Sequence, residues 1–246
     1  MSSMKKPFLR RIAIGAAVLF ACVLILLIRM PVSALNWILP KDVSLVQASG
    51  SIWDGKASAV GWQGVVLQQN LNWQFDAKAV LAGTLAWQLR GEAQGAASQA
   101  RAVLGWRGIA LENVDVTVPL EGVFRAIPQV ANWGLGGRAQ LRSTRLSKQV
   151  GDSAELVLDP IFSQLVPALM PLTALRVQFY VIDGGTKWQV TPAGASAIAV
   201  TGQGELQWQG AAHGTINLKP EENVRQQLAP LLLQVPATSE GYQIKF

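Results

Sequence analysis

A reactive centre has little to work with in this chain. Its one histidine, His213, lies in a Gly/Ala-rich stretch that reads as a turn between two strands, and its one cysteine, Cys22, lies inside an uncharged apolar run. Nucleophilic catalysis needs a hydroxyl or thiol beside a base. Gly-x-Ser-x-Gly does not occur, and Gly50-Ser51 precedes Trp53-Asp54-Gly55, which reads as strand then turn. With one imidazole and no thiol outside the apolar run, only carboxylates remain for a metal. Asp54, Asp76, Asp115, Asp152, Asp159 and Asp183 are scattered near turns, where Asp bonds its own backbone. Gly134-Leu135-Gly136-Gly137 lacks the third glycine and the strand–turn–helix setting of a dinucleotide fingerprint; it reads as a turn opening a strand from Arg138 to Arg142. The expectation is a protein with no catalytic residue, no metal site and no cofactor, a paired-carboxylate hydrolase being the enzymatic alternative.

Tryptophan is the residue that stands out, with nine copies. Trp53, Trp62, Trp73, Trp87, Trp106, Trp188 and Trp208 recur at strand positions. One reading is core filling, since each indole buries a large area; the other is an apolar concave face that accepts lipid or protein. Trp53 and Gly55 at the first turn, with Trp73 and Trp87 on the apolar face, are the structural and interaction candidates. Trp37 reads as an interfacial anchor.

The elements that must position these residues follow from hydropathy. Ile12 to Ile28 carries no charge, with Lys5, Lys6, Arg10 and Arg11 before it and Arg29 after it. Such a run is near the minimum for a membrane-crossing helix, and the positive-inside bias places the N-terminal cations in the cytoplasm. A cleaved signal peptide with a site at Val32-Ser33-Ala34 is the competing reading. It is weakened by the length of the run and by Arg29 standing between run and site. The expected organisation is a cytoplasmic basic segment over 1–11, a transmembrane helix over 12–30 and a periplasmic β-rich domain over 31–246. Those five cations account for most of the formal charge of +6. The body is close to neutral, so the high pI gives no support for nucleic-acid binding. With its lone cysteine in the apolar run, the body has no disulfide and relies on burial and sheet pairing.

Beyond residue 43 the apolar period becomes two. Leu71, Trp73 and Phe75 alternate with polar residues, as do Leu85, Trp87 and Leu89; Val114 to Leu120; Leu175 to Val181; Leu206 and Trp208; Ile216 and Leu218; and Tyr242, Ile244 and Phe246. One-sided strands of this kind belong to antiparallel sheets. Asp54-Gly55, Gly91, Gly108, Gly136-Gly137, Asp183-Gly184-Gly185 and Gly241 are read as hairpin turns. Short helices are expected in Glu121–Trp133, interrupted at Pro128; in Pro160–Met170, broken by Pro167; and in Glu221–Leu233, bent at its end by Pro230. The fold class expected is mainly β, a strongly curved antiparallel sheet or open barrel-like groove with short helices. The segment 121–134 is the best boundary candidate within one continuous domain.

Gly50-Ser51-Ile52-Trp53-Asp54-Gly55-Lys56-Ala57, following one apolar helix, resembles the opening of the type II secretion system protein N family, where Gly-x-[Ile/Val]-Trp-x-Gly-x-Ala recurs. Leu71-Asn72-Trp73, Leu81-Ala82-Gly83-Thr84-Leu85, Gly204-Glu205-Leu206, a strand pair ending near Lys219-Pro220, a helix from Leu228 to Leu233 and Gly241-Tyr242-x-Ile244-x-Phe246 match it in order. The middle, 91–170, matches only in overall pattern. The chain closes at Phe246, so no extra recognition segment is expected. The resemblance implies a non-enzymatic, cofactor-free accessory of the machinery that exports folded proteins across the outer membrane of Gram-negative bacteria. It implies a place in the cell inner membrane and partners among other type II secretion components and inner-membrane lipid, with no nucleic acid. AsmA-like envelope proteins, with a membrane helix and a curved β-groove, are a fold-level analogy. The alternative function is a periplasmic lipid-binding or lipid-transfer module using the apolar groove.

Overall fold

The computed structural model describes residues 29–245 apart from 38, 128, 129, 195, 211, 233, 234 and 240, and only the backbone at 36, 37, 230 and 231. The expected cytoplasmic segment 1–11 and all but the last two residues of the expected membrane helix 12–30 lie outside the described residues. No helix among the described residues is long and apolar enough to cross a membrane.

One antiparallel sheet of fifteen strands makes up the body. The first part holds β1 Val43–Val46, β2 Ser49–Gly50, β3 Asp54–Trp62, β4 Val65–Phe75, β5 Leu85–Ala93, β6 Ala96–Gly105 and β7 Gly108–Pro119. The second holds β8 Leu135–Leu146, β9 Ser153–Ser163, β10 Thr173–Ile182, β11 Gly185–Pro192, β12 Ile198–Gln207, β13 Ala212–Pro220, β14 Ala237–Thr238 and β15 Gly241–Lys245. Strands from β3 to β13 pair in chain order; β1 and β14 are the two edges, and they do not pair with each other. The sheet is therefore not closed. β7 and β8 flank the segment 121–134 and pair directly with each other.

Alternation explains the strands found and glycine explains several turns. Gln63-Gly64 and Gln94-Gly95 have positive φ at both positions, which is the two-residue turn whose twist matches a hairpin. Asp183-Gly184 joins β10 to β11 and Trp106-Arg107 joins β6 to β7. Other glycines read as turns lie inside strands: Gly55 in β3, Gly91 in β5, and Gly136 and Gly137 in β8. They are there because a facing group needs the space of a Cβ. A Cβ on Gly136 would enter the Phe162 ring, and one on Gly137 would enter the Pro160 carbonyl.

Helices are few. α1 Lys78–Leu81, α2 Leu120–Ala126 and α3 Ala229–Leu232 are joined by 3-10 turns at Val32–Trp37, Ala131–Trp133 and Glu222–Val224. The helix expected in Pro160–Met170 is absent: Pro160 to Ser163 continues β9, and the residues after it form turns. Proline is tolerated there because the β8–β9 register shifts between Gly137 and Ala139, leaving a bulge opposite Asp159 and Pro160. Pro230 falls in the first turn of α3 rather than bending its end, a position where its missing N–H has no intrahelical partner to lose.

The largest apolar core sits at one end of the second part. Val166, Leu172, Val190, Ile198, Val200, Leu218, Leu228, Leu232 and Val235 form it, so the β9–β10 and β13–β14 connections fold down over β11 to β13. A smaller cluster joins Leu120 of α2 to Ala139, Leu158 and Ile161. The first part curls. Gln68 of β4 donates from its amide to the Thr117 carbonyl of β7, past two intervening strands. A flat sheet would hold β4 and β7 about 14 Å apart.

Candidate functional site

The four residues singled out in sequence come together at the start of β3. Trp73 faces Gly55 across the β3–β4 ladder, and a Cβ on Gly55 would sit inside the indole. Glycine therefore lets Trp73 lie flat on β3, where it is 5% exposed. Its Nε1–H donates to the Ser51 carbonyl at 3.0 Å. Trp87, two strands from β3, donates from Nε1 to the Ile52 carbonyl at 3.0 Å. Phe75 pairs with Trp87 across β4–β5 and its amide donates to the Trp53 carbonyl at 2.7 Å. The Trp53 ring then stacks on Trp87 (centroids 6.1 Å, 15°) and meets Phe75 edge-on at 4.8 Å.

Ser51 closes the turn beneath them. Its Oγ accepts from the amides of Trp53 (3.2 Å) and Asp54 (3.1 Å), and its own amide donates to the Asp54 carbonyl at 2.8 Å. The sequence order is thus turn then strand: Trp53 is in the bend and Asp54-Gly55 already belong to β3. Gly50, at φ +99°, packs on the Asp54 and Gly55 backbone with no room for a side chain. The same turn holds the incoming chain. The Ile52 amide donates to the Met30 carbonyl at 3.1 Å, and Pro31 bridges Ser51. Neither Ser51 nor Phe75 was a sequence candidate. A serine two residues before an amide-rich bend and a second aromatic in register with Trp73 were the available signals.

Electrostatics here are structural. Arg101 of β6 reaches Asp76 after β4 at 3.0 Å and Glu112 of β7 at 2.8 Å. The hydrogen bond to Asp76, and then that to Glu112, raise the guanidinium above its ordinary value against the cost of burial, so it stays charged. Among the described residues no group of three or more His, Cys, Asp or Glu is placed to hold a metal ion. His213 lies in β13, paired with Glu205 and exposed, rather than in a turn. Trp106 and Trp208 also depart from the strand reading; both lie in turns with their rings at the surface.

What this arrangement belongs to is decided by comparison with known proteins. A family model described as type II secretion system (T2SS), protein N matches residues 41–245. The chain belongs to that family. Type II secretion system protein N of Klebsiella pneumoniae is 28% identical, over 94% of this chain and 90% of the relative. No solved structure matches it. The family match begins just before β1 and runs to the end of β15, so it takes in the Trp53–Trp73–Trp87 assembly and the whole sheet.

Proposed function

We propose that this protein is a non-enzymatic component of a type II secretion system, held in the inner membrane by Ile12–Ile28 with its sheet in the periplasm, and that it acts as a scaffold. Family membership over residues 41–245 carries this reading. The domain division goes with it: 1–11 cytoplasmic, 12–30 in the membrane, 31–246 periplasmic. The charge pattern around the apolar run supports the orientation. The tie from Met30 to Ile52 supports the mechanical part, because it fastens the end of that run to a turn stapled by two indoles.

A scaffold needs a surface for other secretion components. β15 offers one: β14 pairs with Gly241 and Tyr242 and the Gln243 amide donates to the Pro236 carbonyl at 3.0 Å, leaving the outer side of Ile244 and Lys245 without a strand among the described residues. A partner strand can add there. The test is secretion in a strain lacking the protein, together with photo-crosslinking from Lys245 of the full chain. Impaired export and crosslinks to other secretion-system subunits are expected. Normal export, or a C-terminal reporter active only in the cytosol, would refute the reading.

A second reading has an observation of its own. The face bearing Leu71, Phe75, Leu85, Trp87 and Leu89 is only half-buried, which suits a lipid-binding groove. Phospholipid transfer between vesicles by the full chain, above background, would favour it.

A further inference from the structure

The strands alternate in direction, so the connections fall at two ends of the sheet. The β4–β5, β6–β7, β8–β9, β10–β11 and β12–β13 connections share one end. That end carries the four most exposed large apolar side chains among the described residues: Leu81 at 92%, Trp106 at 88%, Ile109 at 70% and Val150 at 68%. Leu81 lies in α1 and Trp106 in the β6–β7 turn. Leu85 beside the one pairs with Leu104 beside the other, so the two connections are neighbours.

The incoming chain is fastened at this same end. Met30 bonds to Ile52, and the Ile52 carbonyl takes the Trp87 indole proton, next to Phe75 and the start of α1. Only Arg29 and Met30 separate this tie from the end of the apolar run at Ile28, and two residues span at most about 7 Å. From β3 to the β6–β7 turn is three to four strand spacings, about 15–20 Å. Charge points the same way. Lys78, Arg107 and Lys148 are exposed in these connections, with the Arg107 guanidinium 5.0 Å above the Trp106 ring. Of the acids there, Asp76 is paired with Arg101, and Asp152 accepts from Ser147 at 2.5 Å; Asp54 at the start of β3 and Asp183 in the β10–β11 turn are the exposed ones. An indole beside a cation, with leucine and isoleucine around it, is what the headgroup layer of a bilayer accepts.

We infer that the Leu81–Trp106–Ile109 rim enters the headgroup layer of the membrane that holds the apolar run, with Lys78 and Arg107 on anionic phospholipid, so that the sheet stands end-on to the bilayer. This rests on the anchoring reading above. The full chain with Cys22→Ala, reconstituted in phosphatidylethanolamine–phosphatidylglycerol vesicles, tests it. An environment-sensitive probe is placed at Leu81→Cys, at Trp106→Cys, or at Lys41→Cys near the opposite end of the sheet. Blue-shifted emission, quenched by shallow spin-labelled lipid, is expected at 81 and 106 and absent at 41. Probes at 81 and 106 as aqueous as that at 41, in protein that resists alkaline extraction, overturn the rim while leaving the anchor standing; such a result would return the patch to a protein partner. Loss of the protein on alkaline extraction overturns both.

Discussion

Between β3 and β7 the sheet is held by tryptophans, Trp73 among them set over Gly55, and by buried alanines, such as Ala57, Ala86, Ala93, Ala100 and Ala110. From β8 onward it is held mainly by aliphatic side chains beneath a cover of connections. One device is common to both. Trp188 of β11 lies against Gly204 and Gly214 as Trp73 lies against Gly55, the paired glycines supplying the slot. The difference lies in what surrounds the indole. In the second part it borders a core centred on Leu228, which is fully buried. In the first it borders a turn, where Trp73 and Trp87 direct their N–H groups at the Ser51 and Ile52 carbonyls. The comparison teaches that the first part places specific backbone atoms, whereas the second supplies most of the apolar burial.

The largest effect is expected from Leu228→Ala, which empties the centre of the second part and lowers stability by about 3–4 kcal/mol in denaturant unfolding. An effect under about 1 kcal/mol would break the assignment of the main core. Next are Gly55→Val and Gly204→Val, each forcing an indole off its slot at a cost of about 1–3 kcal/mol. The two separate by location. Gly55→Val should speed amide exchange at Ile52 and Asp54, whereas Gly204→Val should leave those amides protected. Trp73→Phe removes the bond to Ser51 and also shrinks the ring that fills the Gly55 slot, for about 1–2 kcal/mol; Trp188→Phe shrinks the ring in the same way and is the comparison for the second part. Arg101→Met should cost less, about 0.5–1 kcal/mol, and the loss should shrink in high salt, because Asp76 and Glu112 are each a quarter exposed. Trp106→Ser, at the surface, should move unfolding by no more than about 0.5 kcal/mol.

Much of the fold was legible in the alternation. Leu71-Trp73-Phe75 and Leu85-Trp87-Leu89 announce β4 and β5 directly. β3 and β6 are harder to see, because Ala57, Ala59, Ala100 and Ala102 occupy the apolar positions and alanine gives a faint periodic signal. Gln63-Gly64 and Gln94-Gly95 were missed as turns, since glutamine is an unusual residue at positive φ. Gly55 was misplaced for the opposite reason: its use is the space it leaves for Trp73, and a slot is invisible until the strand opposite is known. The candidate site was legible as a set of residue types, while its hub, the carbonyls of Ser51 and Ile52, was not, because backbone acceptors carry no sequence signature.

The fastening at Met30 has a mechanical consequence. With the anchor proposed above, a pull on the far edge of the sheet would run sideways through its ladders to β3 and divide there. Part would leave along the chain through β1 and part through Ser51 and Ile52, where the Met30–Ile52 bond and two indole protons share the load, so strain would be felt where tryptophan is most concentrated.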